Sequence, residues 1–232
     1  MSTPKELKFV HRIQNSVIDF PPYITTVLFT PGCLFRCPFC FNKAVVLDTT
    51  GISLNTLDVI SVLEEANEGF AEKMLEGVCI SGGEPLLYAK HLVSFCKQLK
   101  ELGYRIKIDT TLNGGDISPL VRYIDGVSFS LKTDKSYFMF LKNNLKVVNF
   151  SPLGLKELRV ILTKENIDAV RTLYVELLND PEHFTPGAWK LHIDKAITTD
   201  ECFGEFTELG PHELDKERKT WPCKDRFNEL TF

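Results

Sequence analysis

From residue 24 onward, short runs rich in β-branched and aromatic residues alternate with segments whose apolar residues recur at helical spacing, and few folds accommodate that alternation. The strand-like runs are residues 24–30, 77–81, 105–111, 126–131, 157–163 and 189–194. Between the first two, residues 51–76 open with Ser53 as a candidate N-cap, and Leu54, Leu57, Ile60, Leu63 and Ala66 then fall on one helical face. Further helices are expected over 89–102, ending at Gly103, over 118–123, from about Lys135, and over 167–178. Strands alternating with helices form a parallel sheet through right-handed crossovers. Roughly six such units fall short of the eight that close a barrel, so the expected fold is α/β, a partial (β/α)6 barrel with outer helices. Residues 7–20 read as an irregular or hairpin-like lead-in, stopped by Pro21-Pro22. Residues 1–195 are expected to form the core, with 196–232 an extension packed on the same domain.

The first strand runs into Pro31-Gly32, and Cys33, Cys37 and Cys40 follow at C-x3-C-x2-C spacing. Three thiolates this close can hold three corners of one metal centre. A structural zinc ion and a [4Fe–4S] cluster each ordinarily take four ligands, and the next cysteine is Cys79. One position is left open, which points to a reactive cluster; a zinc knob completed by a distant Cys or His is the alternative. The second strand ends in Ser81-Gly82-Gly83-Glu84-Pro85, where glycines let the backbone approach a ligand and Glu84 can accept from an ammonium group. In such barrels chemistry collects at the C-terminal strand ends. The cysteine loop, the Gly-Gly-Glu segment, Asp109 to Asn113, Ser130 with Lys132, and His192 all fall there.

At 232 residues and 44% hydrophobic, the chain can bury one substantial core. A net charge of −4 gives no electrostatic case for binding nucleic acid or an anionic membrane. No apolar run approaches the roughly 20 residues needed to span a bilayer, and residues 1–6 hold no apolar leader, so a cytoplasmic location is expected. Seven cysteines, an odd number with three clustered, fit reduced thiols and metal ligation. Cys79 and Cys96 lie in strand and helix patterns and read as small buried hydrophobes, while Cys202 and Cys223 read as structural thiols. The charged run 213–219 reads as a solvated helix face.

These motifs resemble those of radical S-adenosylmethionine (SAM) enzymes, whose mark is CxxxCxΦC with an aromatic residue, here Phe39, at Φ. Val17-Ile18-Asp19-Phe20-Pro21 followed by Phe29-Thr30-Pro31-Gly32-Cys33 is similar to the opening of the small activases of glycyl-radical enzymes, most of all those of anaerobic ribonucleotide reductase. The resemblance covers roughly residues 10–195, and 196–232 match no pattern. It implies that Cys33, Cys37 and Cys40 ligate a [4Fe–4S] cluster whose fourth iron is chelated by S-adenosyl-L-methionine. Reductive cleavage of SAM then yields a 5′-deoxyadenosyl radical, with reduced flavodoxin or ferredoxin as the electron donor. It also implies that Gly82, Gly83 and Glu84 bind the amino end of SAM, and that Phe39 lies near the adenine. Lys132 is a candidate partner for the SAM carboxylate, with Ser130 beside it as a hydroxyl donor; a solvated lysine is the other reading. The activases often carry Asp at the Ser130 position, so the chain departs from them there. Asp109, Thr111 and Asn113 resemble the family's Asp-Thr-Asn-Gly strand end, with an extra Thr-Leu inserted. His192 sits where the family can place a SAM contact, though a lone His in an apolar strand is more often a satisfied core residue.

The expected function is generation of a glycyl radical on a partner enzyme such as anaerobic ribonucleotide reductase. A short chain without a cysteine-rich second domain, forming an incomplete barrel, leaves room for a partner's loop. The alternatives are a radical SAM enzyme acting on a small molecule, similar to 7-carboxy-7-deazaguanine synthase and recruiting Lys107, Asp109, Arg159 or Lys190, and a non-catalytic metal-binding or electron-transfer module. An iron open to ligand exchange is open to oxidants as well, so oxygen sensitivity is expected.

Overall fold

The computed structural model describes residues 6–68, 74–137, 139–198, 202–222 and 229–231; Cys223 lies outside them. Its strands form one sheet in chain order: β1 (His11–Ser16), β2 (Thr25–Thr30), β3 (Gly77–Gly82), β4 (Arg105–Thr110), β5 (Gly126–Ser130), β6 (Leu155–Leu162), β7 (Lys190–Lys195) and β8 (Glu229–Thr231). β1 runs antiparallel to β2, which makes the lead-in a hairpin arm, and each later neighbour pairs in parallel. Among the described residues no pairing joins β8 back to β1 or β2, so the sheet is an unclosed arc.

The helices are α1 (Lys43–Leu47), α2 (Thr56–Asn67), α3 (Ala89–Glu101), α4 (Leu141–Asn149), α5 (Ile167–Leu178) and α6 (Pro211–Thr220). β2 is buried at every position, as a parallel strand covered on both faces must be. On α3, Leu92, Phe95, Cys96 and Leu99 share one buried face, and on β3 Cys79 is fully buried; both cysteines sit in apolar packing. Burial pushes the Cys96 thiol up to about 12 and that of Cys79 well above its ordinary range.

Two local expectations are corrected. The N-cap of α2 is Asn55 rather than Ser53, because Leu54 is held extended by backbone bonds to Phe9 of 2.8 and 2.9 Å. Asn55 Oδ1 accepts from the Leu57 and Asp58 amides at 2.8 and 3.0 Å, and Asp58 Oδ2 accepts in return from Asn55 N at 2.8 Å, a capping box. Asn55→Ala is expected to cost about 1 kcal/mol, read as a shift in urea midpoint at unchanged slope.

Residues 118–123 form successive turns rather than a helix. Asn144 of α4 captures the backbone there, accepting from Ile117 N at 3.1 Å and donating to Leu112 O and Gly115 O at 2.8 and 2.7 Å. The charged run 213–219 lies on α6, whose Glu213, Asp215, Lys216 and Lys219 form the expected solvated face, while its other side is tied down. Leu214 is buried, Arg171 pairs with Glu217, and Arg218 reaches Ile193 O and Asp194 Oδ1 of β7 at 2.9 and 3.0 Å.

Candidate active site

β2 ends at Thr30, and Gly32, at φ +80°, turns the chain into the cysteine loop. The end of β3 is stapled to that turn: Gly83 N donates to Thr30 O at 2.9 Å and Glu84 N to Gly32 O at 2.8 Å. So close an approach excludes a side chain. A Cβ on Gly82, at φ +112°, would stand 2.5 Å from Thr30 N, and one on Gly83 would stand 1.7 Å from Gly32 O. The paired glycines are therefore required first by the seat of the cysteine loop. Within it Cys40 N donates to Cys37 O at 3.0 Å, and Arg36 Nη1 donates to Cys33 O and Phe35 O, both at 2.8 Å.

Cys33, Cys37 and Cys40 open onto one cavity of about 310 Å³, whose wall also carries Phe39, Gly82, Gly83, Asp109, Ser130 and Lys132. Burial, and then the charge of Glu84, push the Cys33 thiol up to about 12, and burial raises that of Cys40; Lys132 pulls both the other way. As free groups these thiols hold their protons, and a metal must displace them to bind. Three soft sulfur donors on one cavity fit an iron–sulfur cluster. Among the described residues no three His, Cys, Asp or Glu groups close on a single ion. The Lys132 ammonium lies 5.5 Å from the centre of the Phe39 ring.

Glu84, Asn113 and His192 stand behind this wall rather than on it. Glu84 is wholly buried and accepts four bonds from the chain: Leu86 N at 3.0 Å and Thr110 Oγ1 at 2.6 Å on one oxygen, Thr111 N at 2.8 Å and Thr111 Oγ1 at 2.5 Å on the other. With both oxygens filled, its structural role is to lock the end of β3 to the end of β4. Asn113 follows Leu112, which stands in a left-handed conformation, φ +59°, uncommon for a leucine. The Asn113 amide turns back on Thr111 O at 2.7 Å.

His192 belongs to an ionic cluster beneath the cavity, centred on Glu157. That carboxylate lies 2.9 Å from Lys107 Nζ, 3.2 Å from His192 Nε2 and 3.5 Å from Arg159 Nη2, and accepts from Ser128. Lys107, fully buried, also stands 3.2 Å from Asp109 and donates to Asp19 O at 2.5 Å. Burial opposes the charge on Glu157, yet His192, Lys107 and Ser128 outweigh it and hold the carboxyl well below its ordinary range. A depressed carboxyl lends stability above its unfolded pKa, about 4.3, and loses it as the pH falls below that. Glu157→Gln is expected to cost about 3–5 kcal/mol near neutrality, and less as the pH drops below about 4. Urea midpoints across that range check both.

Of the polar groups proposed for small-molecule binding, Asp109 and Arg159 reach the cavity wall. Lys107 does not, and Lys190 lies in a separate depression with Tyr23 and Arg105. The wall includes residues that the motifs did not single out, notably Lys195 at the end of β7 and Ala196 and Ile197 just past it, where the strand-end pattern could have pointed. A second cavity of about 300 Å³ adjoins the first across Phe35, Cys37, Phe39 and Lys132. Glu205 and Phe206 help to wall it, and nothing in the local sequence signals them. Cys202 is brought to the same region, close enough to help raise the Cys40 thiol.

Comparison with known proteins agrees with this geometry. The model of a family described as the Radical SAM superfamily matches residues 27–172. The pyruvate formate-lyase-activating enzyme of Staphylococcus aureus is 32% identical over 158 residues, covering 61% of this chain and 61% of the relative. That of Clostridium pasteurianum is 31% identical over 124 residues, covering 53% and 52%. The chain thus spans only part of the length of these relatives. The crystal structure of QueE from Escherichia coli superposes on 97% of this chain and 93% of its own at a TM-score of 0.58 and 14% identity, a likeness of fold. Since the family model spans more than half of the sequence and takes in the cysteine loop itself, the chain belongs to the radical SAM superfamily, whose cofactors are a [4Fe–4S] cluster and S-adenosyl-L-methionine.

Proposed function

We propose that the chain is a glycyl-radical enzyme activase. The observation that carries the reading is the single cavity shared by the three thiols, the Gly82-Gly83 backbone, Asp109, Ser130 and Lys132. Cys33, Cys37 and Cys40 hold the cluster, which supplies the electron for reductive cleavage of SAM. The Gly82-Gly83 backbone passes the amino end of SAM, and Lys132 offers its ammonium to the carboxylate. Phe39, beside Lys132 and on both cavities, presents its ring to the nucleoside. Glu84 acts by holding that wall in place. Asn113 and His192 support the wall from behind, and the Glu157 cluster fixes Arg159 at its base.

The substrate proposed is a glycine Cα–H on a loop of a partner protein, admitted on the unclosed side of the barrel. Relatives named as pyruvate formate-lyase-activating enzymes support a glycyl-radical enzyme as the partner. The N-terminal motif favours an anaerobic ribonucleotide reductase, with reduced flavodoxin or ferredoxin as donor. The test is electron paramagnetic resonance on anaerobically reconstituted, dithionite-reduced protein, with and without SAM, then with a candidate partner. A cluster signal that shifts on adding SAM, followed by a glycyl signal in the partner, is the expected result. Tight zinc with no SAM-responsive signal would overturn the reading; SAM cleavage driven by a metabolite alone would move it to a small-molecule substrate.

A further inference from the structure

Resting on the function proposed above, we infer that Phe41 and Ile197 are two lips of a docking groove at the mouth of the cavity, fitted to an extended segment of a protein partner whose reacting residue is flanked on both sides by apolar side chains.

Single exposed apolar side chains are common on protein surfaces and ask for no explanation. These two differ because both belong to the cavity wall while standing largely in solvent, Phe41 59% and Ile197 62% exposed. They also come from opposite ends of the arc: Phe41 ends the cysteine loop that follows β2, and Ile197 follows β7. Among the described residues, other large apolar side chains as exposed as these, such as Val17, Ile18 and Phe150, wall neither of the two cavities.

Neither lip owes its exposure to a loose backbone. Before Phe41, Cys40 N donates to Cys37 O at 3.0 Å; after it, Asn42 donates its side-chain amide to Gly82 O at 3.5 Å and accepts from Val46 N at 2.9 Å as α1 begins. On the far side, Ala196 N donates to Leu162 O at 2.9 Å, and the Glu208 carboxylate straddles Ile197, accepting from Thr198 N at 2.6 Å and from Lys195 Nζ at 3.2 Å. Two wet apolar surfaces are thus fixed in place before a partner arrives, so covering them costs little ordering of this chain.

Size decides what lies across them. The cavity of about 310 Å³ is at the low end for small-ligand pockets, about 300–1,000 Å³, and in the proposed function SAM shares it. A metabolite that fits the remainder sits inside the lips and leaves their outer faces in water. A peptide that lowers one residue into the cavity continues past both, and its neighbouring side chains cover Phe41 and Ile197. Apolar neighbours gain most from that burial, and a reacting residue without a side chain lets the backbone come down between the lips.

The probes that test this are two synthetic peptides, one with its central glycine between valines and a twin with serines in their place. Calorimetry measures their binding to the reconstituted full chain holding SAM, left unreduced so that no turnover intervenes. The valine peptide is expected to bind about tenfold tighter than its twin. Phe41→Ser and Ile197→Ser are each expected to weaken the valine peptide on the order of tenfold, and together on the order of 100-fold, because they touch separate parts of the ligand; the twin should move little. Should Phe41→Ser lose iron through its neighbour Cys40, Ile197→Ser makes the comparison by itself. Equal affinity for the two peptides, unmoved affinity in the variants, or SAM affinity falling by the same factor would overturn the lips. Dithionite is then added: a valine peptide that binds as expected yet gives no glycyl signal in electron paramagnetic resonance would overturn the activase reading and leave the docking groove standing.

Discussion

Cys37→Ala is expected to leave the fold standing while the protein loses its cluster. The turn it occupies is held by a backbone bond, Cys40 N to Cys37 O at 3.0 Å, which alanine keeps. The thiol faces both cavities and is only partly buried, so its removal opens little void in packed core. Stability of the metal-free chain should change by no more than about 0.5 kcal/mol, the usual range for a substitution away from core and caps. Cluster retention should fall by more than about 100-fold, since even a lost supporting contact can cost a metal site that much. Iron and acid-labile sulfide after anaerobic reconstitution, together with the SAM-dependent spectral shift, read the loss directly. Wild-type iron content and an intact shift in this variant would remove Cys37 from the proposed ligand set.

Gly83→Ala should do the opposite, damaging the scaffold before the chemistry. Its Cβ would lie 1.7 Å from Gly32 O, a backbone atom that cannot swing aside as the end of a side chain can. Relief requires the end of β3 to part from the cysteine loop, with loss of the bonds Gly83 N to Thr30 O and Glu84 N to Gly32 O. Overpacking costs about 1–3 kcal/mol and each lost bond about 0.5–1.5 kcal/mol, so a loss of about 2–6 kcal/mol is expected. Against a total stability of about 5–15 kcal/mol, that is a large share. Urea unfolding of the metal-free variant measures it, and a midpoint within error of wild type would show that the loop yields where the packing says it cannot.

Much of the architecture was legible in the sequence because strand and helix periods are local properties. The run 24–30 announced β2 and 167–178 announced α5, each from its own residues. The site was legible where its members lie close in sequence or carry a motif, as with the three cysteines and Gly82-Gly83. It was not legible where a residue's role depends on a distant partner. Glu84 looked free to meet a ligand, yet Thr110 and Thr111 fill its oxygens. His192 looked like a cofactor contact, yet its Nε2 stands 3.2 Å from the Glu157 carboxylate on the neighbouring strand.

The sequence by itself determined the order of strands and helices, the open arc that so few units can make, and a three-thiol loop at the end of the first parallel strand. Those follow from spacing along the chain, which sets periodicity and ligand reach without reference to anything remote. Only the tertiary structure decided which groups face the cavity and which stand behind it, because that depends on strand register and on where loops return. The parallel registers of β4 to β7 gather Lys107, Ser128, Glu157, Arg159 and His192 into one ionic cluster beneath the wall. The chain beyond β7, unmarked by any motif, comes back to lay Phe206 against Phe39.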